Sequence, residues 1–226
     1  MIASHSLQTD STVPAADVKE SVWTIDASTN KTISQLNPSD CIGIIMAGGK
    51  LTINSGGQTA PGFRLSGYGT VILKGKLTAG NNSVIDLSRI SLQMSGSNAE
   101  LFLSAGCFVT LRDYPVKGGK LTCADVSSAT VPPALSAPPC FIFDGTELTG
   151  IFSCKKTYPE WFVSNPTTQT DWSDAINNAL KVAGNSVTRL QGRVYKVSNT
   201  IFMPCGSQLI GTTSGRVKDS SWKKKI

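Results

Sequence analysis

The tetrapeptide Gly-Lys-Leu-Thr occurs three times, beginning at Gly49, Gly75 and Gly119, so the copies lie 26 and then 44 residues apart. These intervals are near one and two coils of a β-solenoid, in which each coil of about twenty-odd residues buries its inner face against its neighbours. The segments around the repeats fit such coils. Val22-Trp23-Thr24-Ile25, Ile42-Gly43-Ile44-Ile45, Thr70-Val71-Ile72-Leu73, Ser83-Val84-Ile85-Asp86-Leu87, Ile90-Ser91-Leu92-Gln93-Met94 and Phe108-Val109-Thr110-Leu111 are strand-length runs rich in β-branched and aliphatic residues. Gly, Asn and Pro, the residues that permit tight turns, separate them. With 21 Gly against 16% charged and 7% aromatic residues, the composition suits strands and turns and not helical bundles. The fold expected is mainly β, a β-solenoid-like region followed by one helix and further rungs.

Several chemistries are excluded at this level. The single histidine, His5, lies in an N-terminal segment without periodicity, which argues against Ser-His-Asp or Cys-His catalysis and His-based metal centres; no metal and no cofactor are expected. The net charge of +6 owes much to Lys218, Lys223, Lys224 and Lys225, a terminal cluster that reads as a solvated tail, so no nucleic-acid partner is expected. Cys41, Cys107, Cys123, Cys140, Cys154 and Cys205 are scattered without a C-x-x-C pair, and the first six residues lack the character of a signal peptide. Buried free thiols are expected. The longest uncharged apolar stretch, Cys41 to Gly49, is too short to span a bilayer, so no membrane insertion is expected.

Three regions follow. Residues 1–20 read as an extended arm, with Met1, Ile2, Leu7, Val13 and Pro14 the candidate partner-binding residues. Residues 21–157 form a β-rich region; its Pro-rich segment 127–139 reads as a surface excursion or spacer, because Pro removes ladder donors. Residues 158–226 hold the motif Tyr158-Pro159-Glu160-Trp161-Phe162, a helix over 171–183 and initial rungs. In that helix Trp172, Ile176, Ala179 and Leu180 fall on one apolar stripe. Thr170 or Ser173 is the expected cap, Asp171 and Asp174 sit where the dipole favours carboxylates, and Gly184 ends the helix. Beyond it, Val187–Leu190, Val194–Val197, Thr200–Met203 and Gln208–Gly211 read as short strands.

The order Asp171-x-x-Asp174-Ala175-Ile176-x-x-Ala179-Leu180, then Val187, Leu190, Gly192, Tyr195, Val197, Ile201, Pro204, Gly206 and Leu209-Ile210-Gly211, resembles the opening of the pectate-lyase-like right-handed parallel β-helix. In that family the helix caps the open end of the solenoid. Gly48-Gly49-Lys50-Leu51, Gly80–Ile85, Ile142–Gly150 and the Pro-Glu-Trp-Phe junction are similar to tail-fibre and tailspike proteins of phages of gut bacteria, including crAss-like phages. The resemblance covers roughly Thr32 to Gly215; it departs where Val163-Ser164-Asn165-Pro166 replaces the usual Gly-Ala and acidic loop. It implies a virion structural protein of the tail, made in the host bacterial cytoplasm, a homotrimer that contacts other tail proteins and a host surface glycan. The chain stops at Ile226, about two rungs into the β-helix, so a protein reduced to its attachment module or a stack continued by partners is expected.

Carbohydrate cleavage needs carboxylates grouped on one face. The close pair Asp171 and Asp174 is explained by helix capping. Glu160 beside Trp161 is a candidate buried acid, expected to accept backbone hydrogen bonds from the neighbouring turn. Asp86, Asp113, Asp125 and Asp144 are isolated. No catalytic constellation emerges, so no enzyme is expected. The alternatives are a polysaccharide depolymerase, lyase or glycoside hydrolase, whose catalytic part lies elsewhere, and a non-catalytic glycan-binding adhesin using Trp222 or another exposed aromatic. Trp161 and Trp172 read as packing residues. Tyr158, Pro159, Trp161, Phe162, Trp172, Ile176 and Leu180 are expected to form the joint.

Overall fold

The computed structural model describes residues 4–5, 21–124 and 131–211. The arm candidates Met1, Ile2, Leu7, Val13 and Pro14, and Asp125 and Trp222, lie outside the described residues. Strands coil upon strands throughout. A two-residue β1 (Ser4–His5) precedes β2 (Ser21–Ile25) and β3 (Asn30–Leu36); the next coil is a single bent strand, β4 (Asp40–Gln58). Then come β5 (Arg64–Leu73) and β6 (Lys76–Ala79), followed by β7 (Val84–Leu87), β8 (Ile90–Met94) and β9 (Glu100–Leu103). The last two coils of this stack carry β10 (Phe108–Leu111), β11 (Val116–Lys117) and β12 (Lys120–Cys123), then β13 (Ala134–Ser136), β14 (Phe143–Asp144) and β15 (Glu147–Thr149). All join in one 15-stranded sheet wrapped into three parallel columns. One column runs through β2, β4, β5, β7, β10 and β13, the second through β3, β4, β5, β8, β11 and β14, and the third through β3, β4, β6, β9, β12 and β15. The chain is a parallel β-solenoid of about nine turns, as the repeats predict.

Alternation along the strands builds its interior. Val71 and Leu73, Leu77 and Ala79, Ile85 and Leu87, Leu101 and Leu103, Val109 and Leu111, and Leu121 and Cys123 all face inward and are buried. Each such Leu or Val contributes about 2 kcal/mol of apolar burial. The corners need glycine where coils approach closely. At Gly67, with φ of +126°, a Cβ would lie 2.0 Å from the Ile45 carbonyl oxygen directly above or below it in the stack.

The repeats map onto the coils unequally. Lys76 pairs with Glu100, Glu100 with Lys120, and Lys120 with Glu147, so the 44-residue interval is two coils of 24 and 20. The first copy lies in another column, where Lys50 pairs with Thr70, so 26 residues is not a coil length. The aligned copies create a ladder of alternating charge, with Lys76–Glu100 and Lys120–Glu147 ion pairs of 3.3 Å each. Such exposed pairs contribute a few tenths of a kcal/mol. A slipped register would break both pairs, moving each Lys opposite an uncharged neighbour of its Glu.

Two expectations fail here for identifiable reasons. The Pro-rich segment is not wholly an excursion. Ala134–Ser136 forms β13 against β10, with Leu135 buried, because the prolines 132, 133, 138 and 139 flank the strand and remove none of its ladder donors. The run Cys140-Phe141-Ile142-Phe143, whose apolar and aromatic composition predicts a strand, is strand only from Phe143; Ile142 donates its N–H to the Trp161 carbonyl instead of to a ladder.

A second, three-stranded parallel sheet follows, made of β16 (Lys156–Thr157), β17 (Val187–Leu190) and β18 (Gln208–Gly211). Between β16 and β17 lie a 3₁₀ turn, Pro159–Phe162, and the one described α-helix, α1 (Ser173–Ala183). Val194–Val197 and Thr200–Met203, read as strands, are extended loop instead. Lys196 gives its carbonyl to the Trp172 N–H, and the side chains of Asp171, Ser173 and Asn177 hold the backbone of Ser198, Asn199, Thr200 and Phe202.

Candidate functional site

The joint between the two sheets is built by the Tyr158–Phe162 motif. Pro159 opens the 3₁₀ turn, where its missing N–H costs nothing, and the turn drives Trp161 into the end of the large stack. The Trp161 ring is fully buried, donates its Nε1–H to the Pro138 carbonyl at 2.8 Å and meets Phe143 and Tyr158 edge-on at 6.3 and 5.9 Å. Phe162 stacks on Phe143 at 5.5 Å and also touches the second core, formed by Val163, Trp172, Ala175, Ile176 and Leu180. Tyr158, Pro159, Trp161, Phe162, Trp172, Ile176 and Leu180 thus meet at this joint. Below the helix, the buried Thr157 hydroxyl donates to the Ala179 carbonyl at 3.0 Å and lies 2.8 Å from the Thr188 hydroxyl, tying α1 to β16 and β17.

The helix start differs from expectation. Trp172 occupies the cap position, and the carboxylate of Asp171, not Thr170, accepts the Ser173 N–H at 2.9 Å and its hydroxyl at 2.6 Å. Asp171 also accepts from the hydroxyl of Ser198. Hydrogen bonds from the Ser173 and Ser198 hydroxyls hold its carboxyl well below the usual carboxylate range. Asp174 is exposed in the first turn, where the helix dipole favours a carboxylate. Ser173 accepts the N–H groups of Ser198 and Asn199, while Asn177 donates to the Thr200 carbonyl and accepts the Phe202 N–H. These contacts hold residues 198–202 in place of a sheet ladder.

Glu160 is 0% exposed, and its environment also departs from the reading of the sequence. Its Oε1 accepts the Tyr195 hydroxyl at 2.5 Å and pairs with Arg193 Nε at 3.3 Å, in place of turn N–H groups. Oε2 is buried without a hydrogen-bond partner. Tyr195 in turn accepts the Gln191 N–H at 2.7 Å and packs edge-on against Trp172 at 4.7 Å. Burial, and next the bond to Glu160, push its phenol above its ordinary range. The Arg193 guanidinium lies over the Trp172 ring, 5.6 Å from its centre. Sequence reasoning missed Arg193. Its signal was the spacing Arg193-x-Tyr195, which in an extended segment puts both side chains on one side.

Beside this cluster the 166–170 loop faces the 191–196 loop across an open cleft of about 580 Å3. No carboxylate lines it; Arg193 and Lys196 supply its charges. Elsewhere Trp23 is buried against Phe63, not exposed as a stacking platform. Asp86 accepts the Ser88 N–H, Asp113 pairs with its neighbour Arg112, and Asp144 lies in β14. Among the described residues no three His, Cys, Asp or Glu side chains gather as a metal site. Cys107, Cys123 and Cys154 are buried free thiols, Cys41 and Cys140 are half-buried, and Cys205 is exposed, so burial holds for only part of the set.

The class these features define is a three-sided parallel β-helix, wedged at one end by an aromatic turn and a short amphipathic helix. Searches against protein-family models, curated proteins and solved structures find no significant match.

Proposed function

We propose that the chain is a structural protein of a phage virion, the tail-attached part of a fibre or spike that leads into a host-recognising β-helix. The observation that carries this reading is the joint: Trp161 and Phe162 plug the long parallel stack while β16, β17 and β18 start a second one in the same parallel sense. A stack of this kind transmits load along its axis, because every coil is hydrogen-bonded to the next. β18 keeps a free edge among the described residues, and Ile210 on it is 45% exposed, which suits continuation of the stack by further chain or partners. The family resemblance adds the homotrimer, the neighbouring tail proteins and a host surface glycan as partners.

Immunogold electron microscopy of phage particles with antibody against the purified chain tests the assignment. Gold on the tail is expected; particles labelled on the capsid or not at all overturn it. Native mass spectrometry of the full chain should show three copies, and a monomer at micromolar concentration removes the trimer.

A further inference from the structure

We infer that the cleft between the 166–170 and 191–196 loops binds a carboxylated sugar, with Arg193 as the residue that grips its carboxylate. The inference does not depend on where the protein resides.

Arg193 is a preorganised donor. Its Nε pairs with buried Glu160 at 3.3 Å and its guanidinium carbon lies over Trp172, 5.6 Å from the ring centre, so the head group is held on two sides. The other four N–H donors have no partner among the described residues, and the side chain is 36% exposed where it lines the cleft. A planar fork held this way matches a carboxylate in two parallel hydrogen bonds, and little side-chain freedom is lost on binding. Lys196 adds a second cation on the same wall. Its backbone is anchored, since its carbonyl accepts the Trp172 N–H at 2.9 Å, while its side chain makes no ion pair among the described residues.

The remainder of the cleft suits hydroxyl groups better than a bare anion. Thr167, Thr168 and Thr170 on the facing loop offer neutral donors and acceptors, and Val194, 79% exposed, offers an apolar spot for the C–H face of a sugar ring. At about 580 Å3 the space is in the range of small-ligand sites and far larger than a phosphate needs.

The test is calorimetric titration of the full chain with three probes: a glucuronic-acid disaccharide, the same disaccharide with its carboxyl reduced to a hydroxymethyl group, and inorganic phosphate. Saturable binding of the acidic disaccharide is expected. The neutral analogue should bind about tenfold or more weakly, the worth of one charge-assisted hydrogen bond. Lys196→Ala, which removes an exposed side chain and keeps the carbonyl that accepts the Trp172 N–H, should weaken the acidic probe several-fold and leave the neutral one unchanged. Arg193→Lys, which keeps a cation beside Glu160 but loses the bidentate fork, should cut the preference between the two to the several-fold that Lys196 supplies. Equal affinity for both disaccharides, phosphate binding as tight as that of the acidic sugar, or no saturable binding in the millimolar range each overturns the inference.

Discussion

Replacing Arg193 by Met removes the cation from a carboxyl that has no access to water. Breaking a buried pair by deleting one partner costs about 3–5 kcal/mol. Here the figure falls at or below the bottom of that range, about 2–3 kcal/mol, because Arg193 is itself 36% exposed and Tyr195 still donates to Oε1 at 2.5 Å. Glu160→Gln should cost less, about 1 kcal/mol: the amide oxygen keeps the tyrosine bond, the guanidinium turns to solvent, and only the new N–H₂ is left buried, where Oε2 already lacks a partner. The double variant then tells the two effects apart. With no carboxylate to strand, loss of the arginine removes only packing over Trp172, so Arg193→Met in the Glu160→Gln background should cost about 1 kcal/mol less than in the parent. Urea unfolding followed by tryptophan fluorescence reads this, since Trp161 and Trp172 are both buried beside the cluster. Strictly additive losses would show that Glu160 and Arg193 are not energetically paired, and the account of how Arg193 is held would fall with them.

Three further outcomes follow from local geometry. Gly67→Ala should cost about 3 kcal/mol or more, because φ is +126° and the new Cβ lies 2.0 Å from a backbone oxygen, whereas Gly62→Ala, at φ +74° with nothing within 4 Å, should cost about 1; equal thermal shifts would refute the close-approach argument. In native protein, maleimide should modify Cys205 first and spare Cys107, Cys123 and Cys154, whose thiols burial pushes up, that of Cys154 to about 12; rapid native labelling of Cys154, read by mass spectrometry, would contradict this. Asp171 titrates lower in the folded chain than its ordinary 3.8, so its contribution is fully present above that pH and is lost progressively as pH falls below it; Asp171→Asn should therefore flatten the acid limb of a stability-versus-pH curve, and an unchanged limb would deny the effect.

The coils were legible because inward alternation and glycine corners are local properties. Thr70–Leu73, Ile90–Met94 and Phe108–Leu111 each announce a strand without knowledge of its neighbours. What was not legible depends on residues distant in sequence. Val194–Val197 has the composition of a strand, yet Lys196 gives its carbonyl to the Trp172 N–H, and Asp171, Ser173 and Asn177 bind the residues that follow, Ser198 to Phe202, more than twenty positions away. Ala134–Ser136 is flanked by prolines, and only the presence of β10 alongside reveals it as a strand. The candidate site shows the same division. The aromatic residues of the joint stood out as a motif, but Glu160 met its partners 35 and 33 positions on, Tyr195 and Arg193, only through the fold.

The distribution of aromatic residues follows from the changing coil length. Coils of 20 and 22 residues separate Val22 from Ile42 and Ile42 from Arg64, and 20 still separate Glu100 from Lys120; the longer spacings are 24 between Val84 and Phe108, 27 between Lys120 and Glu147, and 31 between Lys156 and Val187, before 21 between Val187 and Gln208. In the middle, aliphatic side chains from coils on both sides fill the interior, as Leu87, Leu103 and Leu111 do. An end coil has a neighbour on one side only and must fill its interior from its own residues. Trp23 and Phe63 do this near the first coils, with ring centres 6.4 Å apart. At the other end the longer coils leave more to fill, and Phe143, Phe152 and Trp161 occupy that space while Phe162 bridges to Trp172. The extra residues of the 31-residue coil are α1 and the 3₁₀ turn themselves, which place Asp171 and Glu160 against the 193–199 loop. The same expansion that closes the stack thus fixes Arg193 at the edge of the cleft, so a shortened 156–187 coil would lose the plug and the binding wall together.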